Sequence, residues 1–203
     1  MADLPIDLGG GLTERLARIL DVEQKIPRTI EALGPVGGRD VVLLDGADGI
    51  RARQLSELGA RVTFAEANGR ARFDALDDSA DVMVSLWSSF LGAARAELAE
   101  AERVLRPGGR LLVLHDYGRD AVSNLRGERP EYGAWGRRGG PFLSNGFRVR
   151  VVHCFWTFES LEDAAAFLGD AFGDAGRSVA AGMKRPRLSY NVAVYHKTIG
   201  APA

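Results

Sequence analysis

The run Val41-Val42-Leu43-Leu44, followed by Asp45-Gly46-Ala47-Asp48-Gly49, constrains this chain more than any other stretch. The apolar part is too short for a helix. It is bounded by Gly37-Gly38-Arg39-Asp40 before and by glycine after, so it predicts a buried strand. A helical pattern follows, with Leu55 and Leu58 on one face and Gly59 at its end. Strand, glycine turn and helix form the first half of a nucleotide-binding α/β unit. In open α/β sheets ligands bind beyond the carboxyl ends of the strands, which is where residues 45–49 fall.

The turn reads Asp-Gly-Ala-Asp-Gly, so the dinucleotide fingerprint Gly-x-Gly-x-x-Gly is absent. Asp45 and Asp48 would repel a pyrophosphate. They suit a ligand that carries positive charge, as S-adenosylmethionine does on its sulfonium and ammonium groups. The competing reading is an acid-rich turn in which Asp48 caps the next helix.

Composition narrows the classes. At 203 residues with a net charge of −1, the chain gives no global case for nucleic acid or an anionic membrane. Cys154 is the only cysteine, which excludes a disulfide framework or a cysteine metal cluster, and three scattered histidines give no metal site. No run of 18 apolar residues occurs, and Met1-Ala2-Asp3-Leu4 lacks the start of a signal peptide. The expectation is a cytoplasmic protein of one domain, residues 1–203, with a helical segment at 1–38 and a loop-rich insertion at 118–146.

Along the chain, residues 1–11 read as a loose arm ending in three glycines. Thr13 caps an amphipathic helix carrying Leu16, Ile19 and Leu20. Pro27 opens a second helix that Gly34-Pro35 ends. The first strand spans about 40–45 and its helix about 49–58. Arg61–Glu66 is β-branched and aromatic and reads as the second strand. Glu66 lies about 20 residues beyond the glycine turn, where such sites place a carboxylate for ribose hydroxyls. Further strands are expected at 81–87, 110–115, 147–156 and 188–196, and helices at 93–105 and 159–172, the latter opening on a capping box at Ser160. Tyr117, Tyr132 and Trp135 either line a pocket or anchor the long loop.

Together these stretches resemble the class I S-adenosylmethionine-dependent methyltransferases, of the methyltransferase type 11 kind. The resemblance covers about 40–117. It rests on Val41–Gly49, on Glu66, on Asp77-Asp78-Ser79-Ala80-Asp81-Val82-Met83-Val84-Ser85-Leu86-Trp87, and most specifically on Ala101-Glu102-Arg103-Val104-Leu105-Arg106-Pro107-Gly108-Gly109-Arg110-Leu111. It implies a Rossmann-like three-layer α/β/α sandwich, mostly parallel with antiparallel C-terminal strands, and S-adenosylmethionine as cofactor. Cofactor contacts then fall to Asp45, Gly46, Ala47, Asp48, Gly49, Glu66, Asp74 and Ser85. Two departures stand out. The family's acid-x-Gly-x-Gly-x-Gly is reduced to Asp45, Gly46 and Gly49. Only fourteen residues, 67–80, separate Glu66 from Asp81, too few for the family's helix and further strand. Six strands or fewer are expected, with Asp74-Ala75 as a remnant of the lost one.

Acceptor-side groups in the resembled family follow the fourth and fifth strands. Here those are Ser85, Trp87, His115, Asp116 and Tyr117. The catalytic candidates are His115, as a general base or a strand-end histidine bonded to the next loop, with Asp116 and Tyr117. The expected reaction is methyl transfer to a small-molecule acceptor, with a homo-oligomer an open option. The rival is a methyltransferase-like domain without catalysis, serving binding or assembly. An RNA-binding role through the arginines of 126–150 is disfavoured, because acids interrupt that patch and a solvated loop explains it.

Overall fold

The computed structural model describes residues 4–6, 8–46, 49–66, 72–127, 129 and 133–200. Its elements are α1 (Gly10–Ile19), α2 (Lys25–Leu33), β1 (Asp40–Leu44), α3 (Ile50–Glu57), β2 (Arg61–Ala65), β3 (Ala80–Leu86), α4 (Arg95–Val104), β4 (Leu105–Asp116), α5 (Ala121–Arg126), α6 (Pro141–Ser144), β5 (Arg148–Thr157), α7 (Leu161–Ala181) and β6 (Arg187–Thr198). The strands form a six-stranded sheet in the order β2-β1-β3-β4-β6-β5. The first four are parallel, and β6 runs antiparallel to both β4 and β5.

The apolar run at β1 lies inside the sheet, as its sequence leads one to expect. Val41–Leu44 pairs with Val62–Ala65 on one side and with Val82–Ser85 on the other. Strand alternation splits the core in two. Val41 and Leu43 join Leu16, Ile26, Ile30, Leu55 and Phe167 on one face, while Val42 and Leu44 join Met83, Phe90, Leu98 and Val104 on the other. This is the three-layer arrangement.

The short connection between β2 and β3 shows how the fold manages without the usual crossover. Phe73 is 1% exposed and packs in the cluster of Val42, Leu44 and Met83, its ring 5.8 Å from that of Phe90. One buried phenylalanine contributes about 1.5–3 kcal/mol. Arg103 on α4 pins the segment around it, donating to the carbonyls of Phe73 (3.0 Å) and Ala75 (2.8 Å) and to the Asp77 carboxylate (2.6 Å). Glu100 accepts from the Phe73 amide at 3.1 Å. The sheet stops at six strands because this pinned loop occupies the sequence where another strand would be.

Several local expectations need correction. The glycines at 10 and 11 lie inside α1, and Thr13 is a buried residue of that helix instead of its cap. The apolar stripe outweighs the poor intrinsic propensity of glycine. Helix α2 begins two residues before Pro27, because the Asp21 carboxylate accepts from the amides of Lys25 (2.9 Å) and Ile26 (2.8 Å). Ser160 does cap α7, accepting from the Asp163 amide at 3.0 Å. That helical segment continues past the expected end to Ala181 through a break at Gly173, whose φ of 58° suits glycine. The loop-rich region holds the short helices α5 and α6, and Tyr132 lies outside the described residues. No described helix is long and apolar enough to cross a membrane.

Candidate functional site

Register places the candidate residues. Leu44 pairs with Ala65 and Ser85, Ser85 with Val113, and Leu86 with Leu114. The residues that follow, Asp45, Glu66, Trp87, His115 and Asp116, therefore emerge along one carboxyl edge of the sheet.

At β1 the chain turns at once. Asp45 takes a left-handed φ of 54°, which aspartate tolerates better than most residues, and its amide donates to the Ala65 carbonyl at 3.0 Å. A Cβ on Gly46 would lie 2.8 Å from Leu43 Cδ2, so the backbone packs directly on the core and a side chain there would clash. Gly49 caps α3 without a side-chain hydrogen bond. Ala47 and Asp48 lie outside the described residues.

The loop after β3 closes on this turn. Ser89 Oγ donates to Asp45 Oδ2 at 3.3 Å, bridging two strand ends. Ser85 acts from below. Fully buried, its hydroxyl accepts from the Ser89 amide at 3.3 Å and so fixes the loop. Ser88 Oγ, two residues past the end of β3, is buried and has no hydrogen-bond partner among the described residues. A buried hydroxyl without a partner is costly. Glu66 is exposed at the end of β2, and its carbonyl receives the amide of Asp74, also exposed, at 3.4 Å. The structure thus gathers Asp45, Gly46, Gly49, Glu66 and Asp74 around one edge and sets Ser85 beneath it.

The acceptor-side residues have different surroundings. His115 is 4% exposed, its ring 4.8 Å edge-on from Trp135 and 6.0 Å from Phe142. Burial pushes its pKa down to about 4 against a weaker upward pull from the carbonyls of Ser89 and Phe90. The imidazole is therefore neutral at physiological pH, and Nε2 lacks a partner. Such a group is a weak base with little access for an acceptor. It also predicts a stability limb. The unfolded imidazole binds a proton below about pH 6.5 and the folded one only below about pH 4. Stability is thus fully present above 6.5 and falls as pH drops through this window by about 3 kcal/mol, at 1.36 kcal/mol per pKa unit. Below about 4 this contribution is lost. Urea unfolding at stepped pH should show that limb in the parent and not in His115→Phe.

Asp116 is committed elsewhere. It is 5% exposed and accepts from Trp87 Nε1 at 3.1 Å, from the Tyr190 hydroxyl and from the Arg126 guanidinium. Burial first, and then the neighbouring carboxylate, hold the Tyr190 phenol well above its ordinary pKa. Arg126 also donates to the Pro5 carbonyl at 3.0 Å, so this cluster ties the N-terminal arm to β4, α5 and β6. Tyr117 is half-buried, its amide bonded to the Asn191 carbonyl at 2.9 Å, with the Arg119 guanidinium 5.9 Å from its ring centre. Sequence reasoning missed Ser88, Ser89, Arg126 and Tyr190. The two serines carried a signal, small hydroxyls just past a strand end. The other two carried none, because only tertiary packing brings them to Asp116. Among the described residues no cluster of His, Cys, Asp or Glu could hold a metal ion.

With this geometry in hand, comparison with known proteins is informative about the fold. No protein-family model and no curated protein sequence matches the chain. Solved structures do. A candidate methyltransferase of an antibiotic biosynthesis pathway from Anabaena variabilis superposes with a TM-score of 0.54 at 13% identity, over 90% of this chain and 99% of that one. A candidate type II methyltransferase from Anaeromyxobacter dehalogenans gives 0.53 at 16% identity, over 85% and 94%. A S-adenosylmethionine-dependent methyltransferase from Aquifex aeolicus gives 0.50 at 16% identity, over 93% and 98%. The fold is that of the class I methyltransferases, and its six strands match the six or fewer expected from the short 67–80 segment.

Proposed function

We propose that the chain binds S-adenosylmethionine at the carboxyl edge of β1, β2 and β3 and transfers its methyl group to a small-molecule acceptor. The observation that carries this reading is the register that brings Asp45, Gly46 and Glu66 to one carboxyl edge, where Ser89 bonds to Asp45. The residues fit the cofactor's chemistry. Glu66 accepts from two ribose hydroxyls, and Asp45 faces the cationic end. Gly46 lets the backbone approach closely, and Asp74 stands beside Glu66 toward the base. Ser85 and Ser89 hold the loop that closes the site. Ala47, Asp48 and Gly49 complete the turn.

Bound here, S-adenosylmethionine supplies an electrophilic methyl on a sulfonium centre. The protein's task is then in-line positioning and exclusion of water. A general base is needed only for an acceptor that must shed a proton, and the enclosed, neutral His115 suits the shaping of the acceptor wall with Tyr117 and Trp135. Asp116 positions Trp87 in that wall. The second reading is a binding or assembly module without catalysis. The observation favouring it is that Trp87, Asp116, Arg126 and Tyr190 satisfy one another on the acceptor side. Calorimetric titration with S-adenosylmethionine and with its demethylated product tests the proposal. Saturable binding of both supports it, and no heat from either turns the balance to the second reading.

A further inference from the structure

Away from the carboxyl edge, a second feature combines backbone and charge. Strand β5 ends the sheet, and its pairing with β6 is unbroken from Arg148 to Thr157. On its other side the chain itself makes one isolated bridge. Leu20 bridges Trp156 in antiparallel fashion, and the Asp21 amide donates to the Phe155 carbonyl at 3.1 Å. The His153 carbonyl accepts from Lys25 Nζ at 2.9 Å. Odd-numbered residues of β5 therefore turn their backbone groups away from β6, and those of Val149 and Val151 lie beyond the covered stretch.

A groove of about 650 Å³ runs there between β5 and α2. Its helix wall is the stripe Lys25, Arg28, Thr29, Ala32 and Leu33, and its strand wall runs from Arg150 to His153. The nine residues of α2 span roughly 13 Å, enough for about four extended residues. Arg150 and Val152 share the α2 side of the strand by alternation. Arg28 donates to the Glu23 carbonyl, and Arg150 forms no ion pair among the described residues. Its described lining holds no acid, and Lys25 pairs with Glu23 at 2.5 Å.

We infer that this groove takes an acidic, extended peptide segment from a partner protein, which adds as an antiparallel strand to β5 with its carboxylates against Arg28 and Arg150. An exposed strand edge offers unpaired backbone donors and acceptors, and strand addition uses them for affinity while side-chain pockets set specificity. The antiparallel sense follows that of the bridge already made by Leu20. A second copy of this chain is a poorer occupant, since antiparallel pairing of β5 centred near Val149 would set Arg148 and Arg150 of one copy against Arg150 and Arg148 of the other.

The test uses the intact protein and two fluorescein-labelled ten-residue peptides, one alternating Glu and Val and one alternating Lys and Val. The Glu–Val peptide should bind, lose affinity at least tenfold with Arg28→Glu/Arg150→Glu, and lose a similar factor with Val151→Pro. That proline removes an outward-facing amide and leaves the β6 ladder intact. Amide exchange at Val149 and Val151 of the unmutated protein should slow when the Glu–Val peptide is added, which decides the matter even if a variant fails to fold. Equal binding of both peptides, unchanged affinity in Val151→Pro, or no slowing at those amides would overturn the inference. So would preferential binding of an oligothymidylate in the groove, or a concentration-dependent dimer abolished by Val151→Pro.

Discussion

Asp116→Ala should lower the thermal unfolding midpoint by about 10 °C. The substitution takes the Asp116 carboxylate away from the Arg126 guanidinium, 2% exposed, from the Tyr190 hydroxyl and from Trp87 Nε1. Removing one partner of a buried ion pair costs about 3–5 kcal/mol, and each kcal/mol moves the midpoint of a chain this size by roughly 2–4 °C. Arg126→Ala should cost a comparable amount and also release Pro5, whose carbonyl it holds. The double variant Asp116→Leu/Arg126→Met should be less harmful than either single alanine variant, because no uncompensated charge stays buried. Differential scanning calorimetry of the four proteins checks this. A midpoint within 2 °C of the parent for Asp116→Ala would show that the cluster is wet and loosely held.

Glu66→Ala should weaken S-adenosylmethionine binding ten- to a hundredfold while leaving the unfolding midpoint nearly unchanged. Glu66 is exposed and its side chain makes no hydrogen bond among the described residues, so the folded state loses little with it. One carboxylate can accept from both ribose hydroxyls, and hydrogen bonds to a charged group contribute about 1.5–3 kcal/mol. Each 1.4 kcal/mol is a factor of ten in affinity. Glu66→Gln keeps one acceptor and should be milder. Titration of the three proteins by calorimetry, with unfolding followed in parallel, separates this from a folding defect. Equal affinity in all three would remove Glu66 from the site.

These two residues also show what could be read from the sequence. Glu66 was legible because its place depends on local order alone, a strand end at a fixed distance from a glycine turn. The central position of β1 was legible for the same reason, since Val41–Leu44 is apolar on both faces and only a strand covered on both sides buries it. The missing strand followed from counting residues between Glu66 and Asp81. What replaces it did not. Phe73 and the contacts of Arg103 depend on α4 folding back beside β3, which no local pattern encodes. Asp116 is the sharper case. Its position after a strand suggested chemistry, yet its partners are 10, 29 and 74 residues away, and only the assembled sheet brings them to it. Helix α1 was misplaced because three consecutive glycines look like a loop, while the burial of Leu16 and Leu20 outweighs that local cost.

The central claim is that the carboxyl edge of β1, β2 and β3 is a S-adenosylmethionine site. The most direct measurement is the amide correlation spectrum of the protein titrated with S-adenosylhomocysteine, which cannot be consumed in a reaction. The account predicts that the amides of Asp45, Gly46, Gly49, Glu66, Ser88 and Ser89 shift together and saturate, while those of Val149 to His153 stay in place. Shifts confined to the β5 groove, or none at all at saturating ligand, would contradict it.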